Sequence, residues 1–140
     1  MNKKHDVGAW YLADVVERSE AVGANKSNPN RRCLTWVNTL LIRAPSLAAA
    51  YDKAMTIAKQ EYTSRYKAVS GRTVQWTVLG ISSLVPIYES LKDGSEIAWT
   101  DKGFLSAKRS AGMVLSKRAL LKDANKTFEP TRARPRAAQR

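Results

Sequence analysis

Among 140 residues the sequence holds one cysteine and one histidine. A lone cysteine excludes an intramolecular disulfide framework, and with one histidine beside it there are too few soft ligands for a zinc site. Long hydrophobic runs are also missing: nothing reaches the roughly 18 consecutive apolar residues of a membrane helix. Lys3 and Lys4 open the chain, but the apolar stretch that follows, Ala9 to Val16, is interrupted by Asp14, so no secretory leader is expected. A glycine-rich phosphate loop is absent, because Gly71 and Gly80 stand too far apart and are wrongly flanked. His5 lies in a charged terminus, where it makes no well-held base for a serine or cysteine nucleophile. These absences describe a cytoplasmic protein with no membrane partner, no metal and no cofactor, which is not an enzyme.

Acidic residues are scarce too. Twelve Asp and Glu stand against 24 Lys and Arg, a formal net charge of +12. The excess is uneven: residues 1–105 carry 14 basic and 10 acidic side chains, whereas residues 106–140 carry 10 and 2. Such a cationic block repels itself unless it is solvated or meets an anionic partner.

What is present is enough for a core, since 44% of residues are hydrophobic and four are Trp. Residues 9–20 alternate, with Trp10, Leu12 and Val16 on one side and Tyr11, Ala13 and Val15 on the other, which predicts a strand. A polar turn-rich stretch, 23–30, leads to a second alternating strand over 32–44, paired with the first as an antiparallel hairpin. Ser46 is an N-cap for a helix whose stripe runs Leu47, Tyr51, Ala54, Met55, Ala58, Tyr62 and Tyr66, ending at Ser70-Gly71. A third strand covers 73–80, with Gly80 marking a bulge before 84–88 and Pro86 confined to a sheet edge or outside the ladder. A short fourth strand is expected over 96–100 after the Lys92-Asp93-Gly94-Ser95 turn, then a second helix over 106–126 weakened by Gly112. The expected fold is α+β: about four antiparallel strands in ββαββα order, one helix on one face, and a basic helix at the C-terminal end. Its parts are a flexible stretch 1–8, one domain over 9–126, and a disordered basic tail over 127–140.

Five blocks recur in an order that resembles a known family: Trp10-Tyr11-Leu12-Ala13-Asp14, Trp36-Val37-Asn38-Thr39, Ala50-Tyr51-Asp52-Lys53-Ala54, Pro86-Ile87-Tyr88-Glu89 and Asp93-Gly94-Ser95-Glu96-Ile97. The succession is similar to a family of small bacterial proteins classed as a domain of unknown function, over about residues 9–100. The resemblance implies a standalone bacterial domain and supplies no catalytic residues. The basic stretch after residue 105 looks like an addition to that pattern.

Two sets of residues carry the functional expectations. In a hairpin whose paired numbers sum to about 52, Asp14 faces Asn38 within an apolar row and Glu20 faces Arg32. Burying such a polar pair costs about 1–3 kcal/mol per unsatisfied group. The pair therefore either satisfies itself and pins the register, or lines a ligand pocket. Cys33, next to Arg31-Arg32, reads as a packed thiol rather than an activated one. The second set is cationic: Lys108, Arg109, Lys117, Arg118, Lys122 and Lys126, followed by Arg132, Arg134, Arg136 and Arg140. They suit a phosphate backbone contacted with little sequence readout, while Trp99 is the tryptophan left free to stack on a base. The leading expectation is a binding protein for an acidic macromolecule, chiefly nucleic acid. The alternative is an inhibitor that meets an acidic protein, such as the immunity partner of a bacterial toxin, and an open sheet edge would also allow a homodimer.

Overall fold

A computed structural model describes residues 8–127, with side chains as far as Lys122. His5 and the arginines at 132, 134, 136 and 140 lie outside the described residues, as do most of the stretches expected to be flexible or disordered. The elements are β1 (Ala9–Ala21), β2 (Leu34–Ala44), α1 (Leu47–Tyr62), β3 (Ser64–Lys67), β4 (Thr73–Pro86), α2 (Ala107–Gly112) and α3 (Lys117–Thr127). They make an α+β protein with one four-stranded antiparallel sheet in the order β2-β1-β4-β3. The chain divides into two compact units, Met1–Trp99 and Thr100–Arg140. Among the described residues no helix is long and apolar enough to cross a membrane.

In the first unit β1 is the spine, flanked by β2 and β4. Its pairing with β2 departs from the expected register by one residue: Trp10 pairs with Arg43, Asp14 with Thr39 and Glu17 with Trp36. Both rows of β1 are rich in apolar residues, so alternation alone did not choose the inward one. The helix chooses it. Ala50, Ala54 and Ala58 are the buried residues of α1, and such small side chains let the helix lie close on the sheet. Ala50 and Ala54 join a core of Tyr11, Ala13, Ile42 and Ala44, with Leu40, Ile57, Ile81 and Leu84 packed around it. The row of Tyr11, Ala13, Val15 and Glu17 therefore faces inward, and Trp10, Leu12, Asp14 and Val16 face the other way. The expected stripe of α1 shifts accordingly, leaving Leu47 and Tyr51 about half exposed at 51% and 46%.

Ser46 caps α1 as expected, accepting the Ala49 N–H at 3.1 Å. The helix stops at Tyr62, earlier than expected, because Tyr66 belongs to β3 and pairs with Val74. β4 runs unbroken from Thr73 to Pro86, and its pairing with β1 skips a residue on either side of Gly80, whose φ is 151°. These are β-bulges, and the glycine occupies a conformation that L side chains rarely adopt. Pro86 ends this inner strand at no cost in pairing. The next residue, Ile87, donates its N–H to the Trp10 carbonyl at 2.8 Å, so the proline nitrogen points to the opposite side. β3 pairs only with Thr73–Trp76, so among the described residues no strand lies on that side of Pro86.

Two expected elements change form. Residues 96–100 are not a strand. They belong to a loop held by its own polar groups: Ser95 Oγ accepts the Lys92 N–H at 3.1 Å, and Glu89 Oε2 accepts the Glu96 N–H at 3.1 Å. In the second unit the single helix expected over 106–126 is two. Ser106 caps α2 through the Arg109 N–H, and Ser116 caps α3 through the Ala119 N–H, both at 3.1 Å. A second N-cap serine four residues beyond Gly112 restarts the helix instead of continuing it.

Candidate functional site

The corrected register dissolves the expected Asp14–Asn38 pair. Asp14 faces Thr39 on the side of the sheet away from α1, and Thr39 Oγ1 donates to Asp14 Oδ1 at 2.7 Å. Asn38 faces inward and donates from Nδ2 to Glu17 Oε1, also at 2.7 Å. Glu17 is fully buried and Asn38 nearly so. A buried polar pair does exist near the expected place, but its acid is Glu17. Glu17 sits in the same alternating row as Tyr11, Ala13 and Val15, which was the available signal. Beside it the Trp36 and Trp76 rings meet at 4.5 Å between centroids, and Trp76 is buried. Trp10 lies on the other face, where the Arg43 guanidinium stands 5.6 Å from its ring centroid. A satisfied pair beneath tightly packed tryptophans explains strand register.

A second polar cluster closes the hairpin. Arg31 Nε donates to Glu20 Oε2 at 2.7 Å and Arg18 Nε donates to Glu20 Oε1 at 3.2 Å, so the acid meets Arg31 rather than the expected Arg32. The Arg31 hydrogen bond, with the positive charge of Arg31 and Arg18, pulls the Glu20 carboxyl down to a pKa of about 2, although burial opposes it. Arg31 also donates to the carbonyls of Lys26 and Asn28, tying the 22–33 loop to the strand end. Cys33 Sγ donates to Glu20 Oε2 at 3.8 Å, so the thiol is packed into the Glu20–Arg31 cluster.

The cations of the second unit divide between its two helices. Lys108 and Arg109 are on α2, and Lys117, Arg118 and Lys122 are on α3; all five are exposed. Arg118 and Lys122, four residues apart, share one face of α3, and Lys126 continues that row in sequence with its side chain outside the described part. Ion pairs among the described residues occur at Glu20, in the other unit, and none involves these five. Trp99, at the end of the first unit, is 68% exposed and lies 6.1 Å from the Tyr88 ring, which is itself 77% exposed.

Sequence reasoning missed a smaller basic feature of the first unit. Gly8, Arg43, Ala44, Pro45 and Lys53 line an open cleft of about 230 Å³. A Cβ at Gly8 would come within 2.9 Å of the Ala44 carbonyl carbon and oxygen, so only glycine lets the chain approach that closely. Lys53 is four residues ahead of Ile57 on α1, and its Nζ reaches the Arg43 carbonyl at 2.9 Å.

The profile of the family described as Domain of unknown function (DUF4288) matches residues 10–99, close to the span of the resemblance drawn above. No curated protein and no solved structure matches the chain.

Proposed function

We propose that this chain, which belongs to the family described as Domain of unknown function (DUF4288), is a non-enzymatic bacterial protein that binds nucleic acid in the cytoplasm through its basic C-terminal residues. The observation that supports the reading is the state of Lys108, Arg109, Lys117, Arg118 and Lys122: exposed, on helices, and outside the ion pairs of the described residues. A cation outside the ion pairs of the described residues is available to a phosphate, and releasing the counterions of that phosphate drives association. Lys126 and the arginines at 132, 134, 136 and 140 add charge to the same stretch of sequence. Contacts to phosphate position a protein and do not specify sequence. The matched family span stops at residue 99, so this reading assigns the activity to the residues beyond it.

Titration of two labelled duplexes of unrelated sequence tests it. Both should bind with affinities within about twofold of each other. Replacing Arg132, Arg134, Arg136 and Arg140 with Gln should weaken both alike, as expected for contacts that read only the backbone. No binding to either duplex at low salt would discard the reading and favour the inhibitor alternative.

A further inference from the structure

β2 is an edge strand of an unusual kind. Among the described residues no strand lies on its far side, and it is 11 residues long. From Leu34 to Ile42 it carries no charge and no proline. Natural edges are blunted by lysine, proline, bulges or brevity, and β2 uses none of these over that stretch. Its pairing with β1 is also continuous, without a register shift.

The direction of its free backbone groups follows from two hydrogen bonds. The Trp10 carbonyl accepts from Ile87 and so faces the β4 side, which turns the polar groups of Tyr11 toward β2 and its partner Ile42. Residues alternate, so Thr35, Val37, Thr39, Leu41 and Arg43 present their N–H and C=O groups outward. The Arg43 carbonyl agrees, because the Lys53 ammonium has taken it from the open side. At the other end the Thr35 hydroxyl covers the Cys33 carbonyl at 3.1 Å. Between these two covered carbonyls lies an open ladder, and its side chains Val37 and Leu41 are 56% and 51% exposed.

Charge decides what fits there. At the C-terminal end of the ladder, Arg43 and Lys53 line the 230 Å³ cleft, and none of the five residues lining it is acidic. Two copies of β2 paired antiparallel about Thr39 would set Arg43 opposite Thr35, near Arg32 of the other copy, and would bring no anion to the cleft. A strand that has carboxylates where it reaches Arg43 and Lys53 satisfies both parts at once. We propose that the edge of β2 takes up an extended segment of another protein as a fifth, antiparallel strand. That segment carries carboxylate side chains at its N-terminal end, where it reaches Arg43 and Lys53. Backbone hydrogen bonds supply the affinity, and the basic cleft supplies the preference for an acidic segment. This site lies in the sheet unit, so it stands or falls independently of the nucleic-acid reading.

The probe is a synthetic peptide of alternating Thr and Val with Glu-Glu at its N-terminus, compared with the same peptide carrying Gln-Gln. Amide exchange of the full chain should show Val37, Thr39 and Leu41 fast in the free protein and slowed by the Glu peptide, with Asn38, Leu40 and Ile42 slow throughout. The Glu peptide should bind roughly tenfold more tightly than the Gln peptide, a difference in keeping with one charge-assisted hydrogen bond. Val37→Pro, which removes an outward N–H and leaves the ladder to β1 intact, should abolish the slowing. The double variant Arg43→Gln with Lys53→Gln should erase the preference while retaining the slow amides that report the fold. Equal affinity for both peptides, or no slowing with either, overturns the proposal. So does slowing in the free protein that grows with concentration alongside a doubled mass, because a second copy would then hold the edge.

Discussion

Asn38 donates to Glu17 across the β1–β2 ladder at 2.7 Å, both side chains buried on the sheet face that α1 covers. Slipping the hairpin by one residue would put the inner rows of β1 and β2 on opposite faces of the sheet and separate this pair. The bond therefore acts on register as well as on stability.

Removing one partner should cost more than removing both. Asn38→Leu alone leaves a buried carboxyl without the amide and should destabilise the protein by about 2–3 kcal/mol. The double variant Glu17→Leu with Asn38→Leu should recover a large part of that loss, because neither member of the pair is then left without the other. Urea unfolding of the four proteins checks the claim. Additive losses, with a coupling below about 0.5 kcal/mol, would contradict it.

Glu20 gives the fold an acid limit. Its carboxyl titrates near 2 in the folded protein against an ordinary value of 4.5, held down by the Arg31 hydrogen bond first and by the charges of Arg31 and Arg18. The unfolded chain thus takes up a proton that the folded chain refuses. The associated stability is whole above pH 4.5 and is lost as pH falls toward about 2. Thermal unfolding followed across that window should show a steeper fall for the native protein than for Glu20→Gln, which has no proton to take up there.

Gly80 should resist substitution although there is room for a side chain. Nothing lies within 4 Å of a Cβ built on it, but its φ is 151°. Gly80→Ala should therefore destabilise by about 1–3 kcal/mol through backbone strain alone. Gly23→Ala, equally uncrowded and without a positive φ, should cost far less. Chemical denaturation of the two variants separates conformation from crowding.

Much of this architecture was legible in the sequence. The hairpin, the Ser46 cap, the bulge at Gly80 and the α+β class follow from alternation and turn chemistry. The β1–β2 register did not, because Trp10, Leu12 and Val16 rival Tyr11, Ala13 and Val15 in apolarity. Only the alanine stripe of α1 breaks that tie. Glu17 was overlooked for the same reason, since choosing the wrong row places it outside. β3 hid in the continuing periodicity of Tyr62 and Tyr66, where a tertiary pairing with Val74 outweighs local helix preference. The break before Ser116 was written in a second capping serine beside a weak glycine. Of the candidate site, the cations were plain from composition, whereas the cleft at Arg43 and Lys53 depends on α1 meeting the end of β2, a contact that no local pattern announces.

The salt dependence of duplex binding by the full chain tests the central claim most directly. If about six cations of residues 108–140 neutralise phosphates, the logarithm of affinity should fall by about five per decade of salt. Replacing the four tail arginines with Gln should lower that slope by roughly three to four, near one per charge removed. A slope near zero, or one that the substitutions leave unchanged, would contradict it.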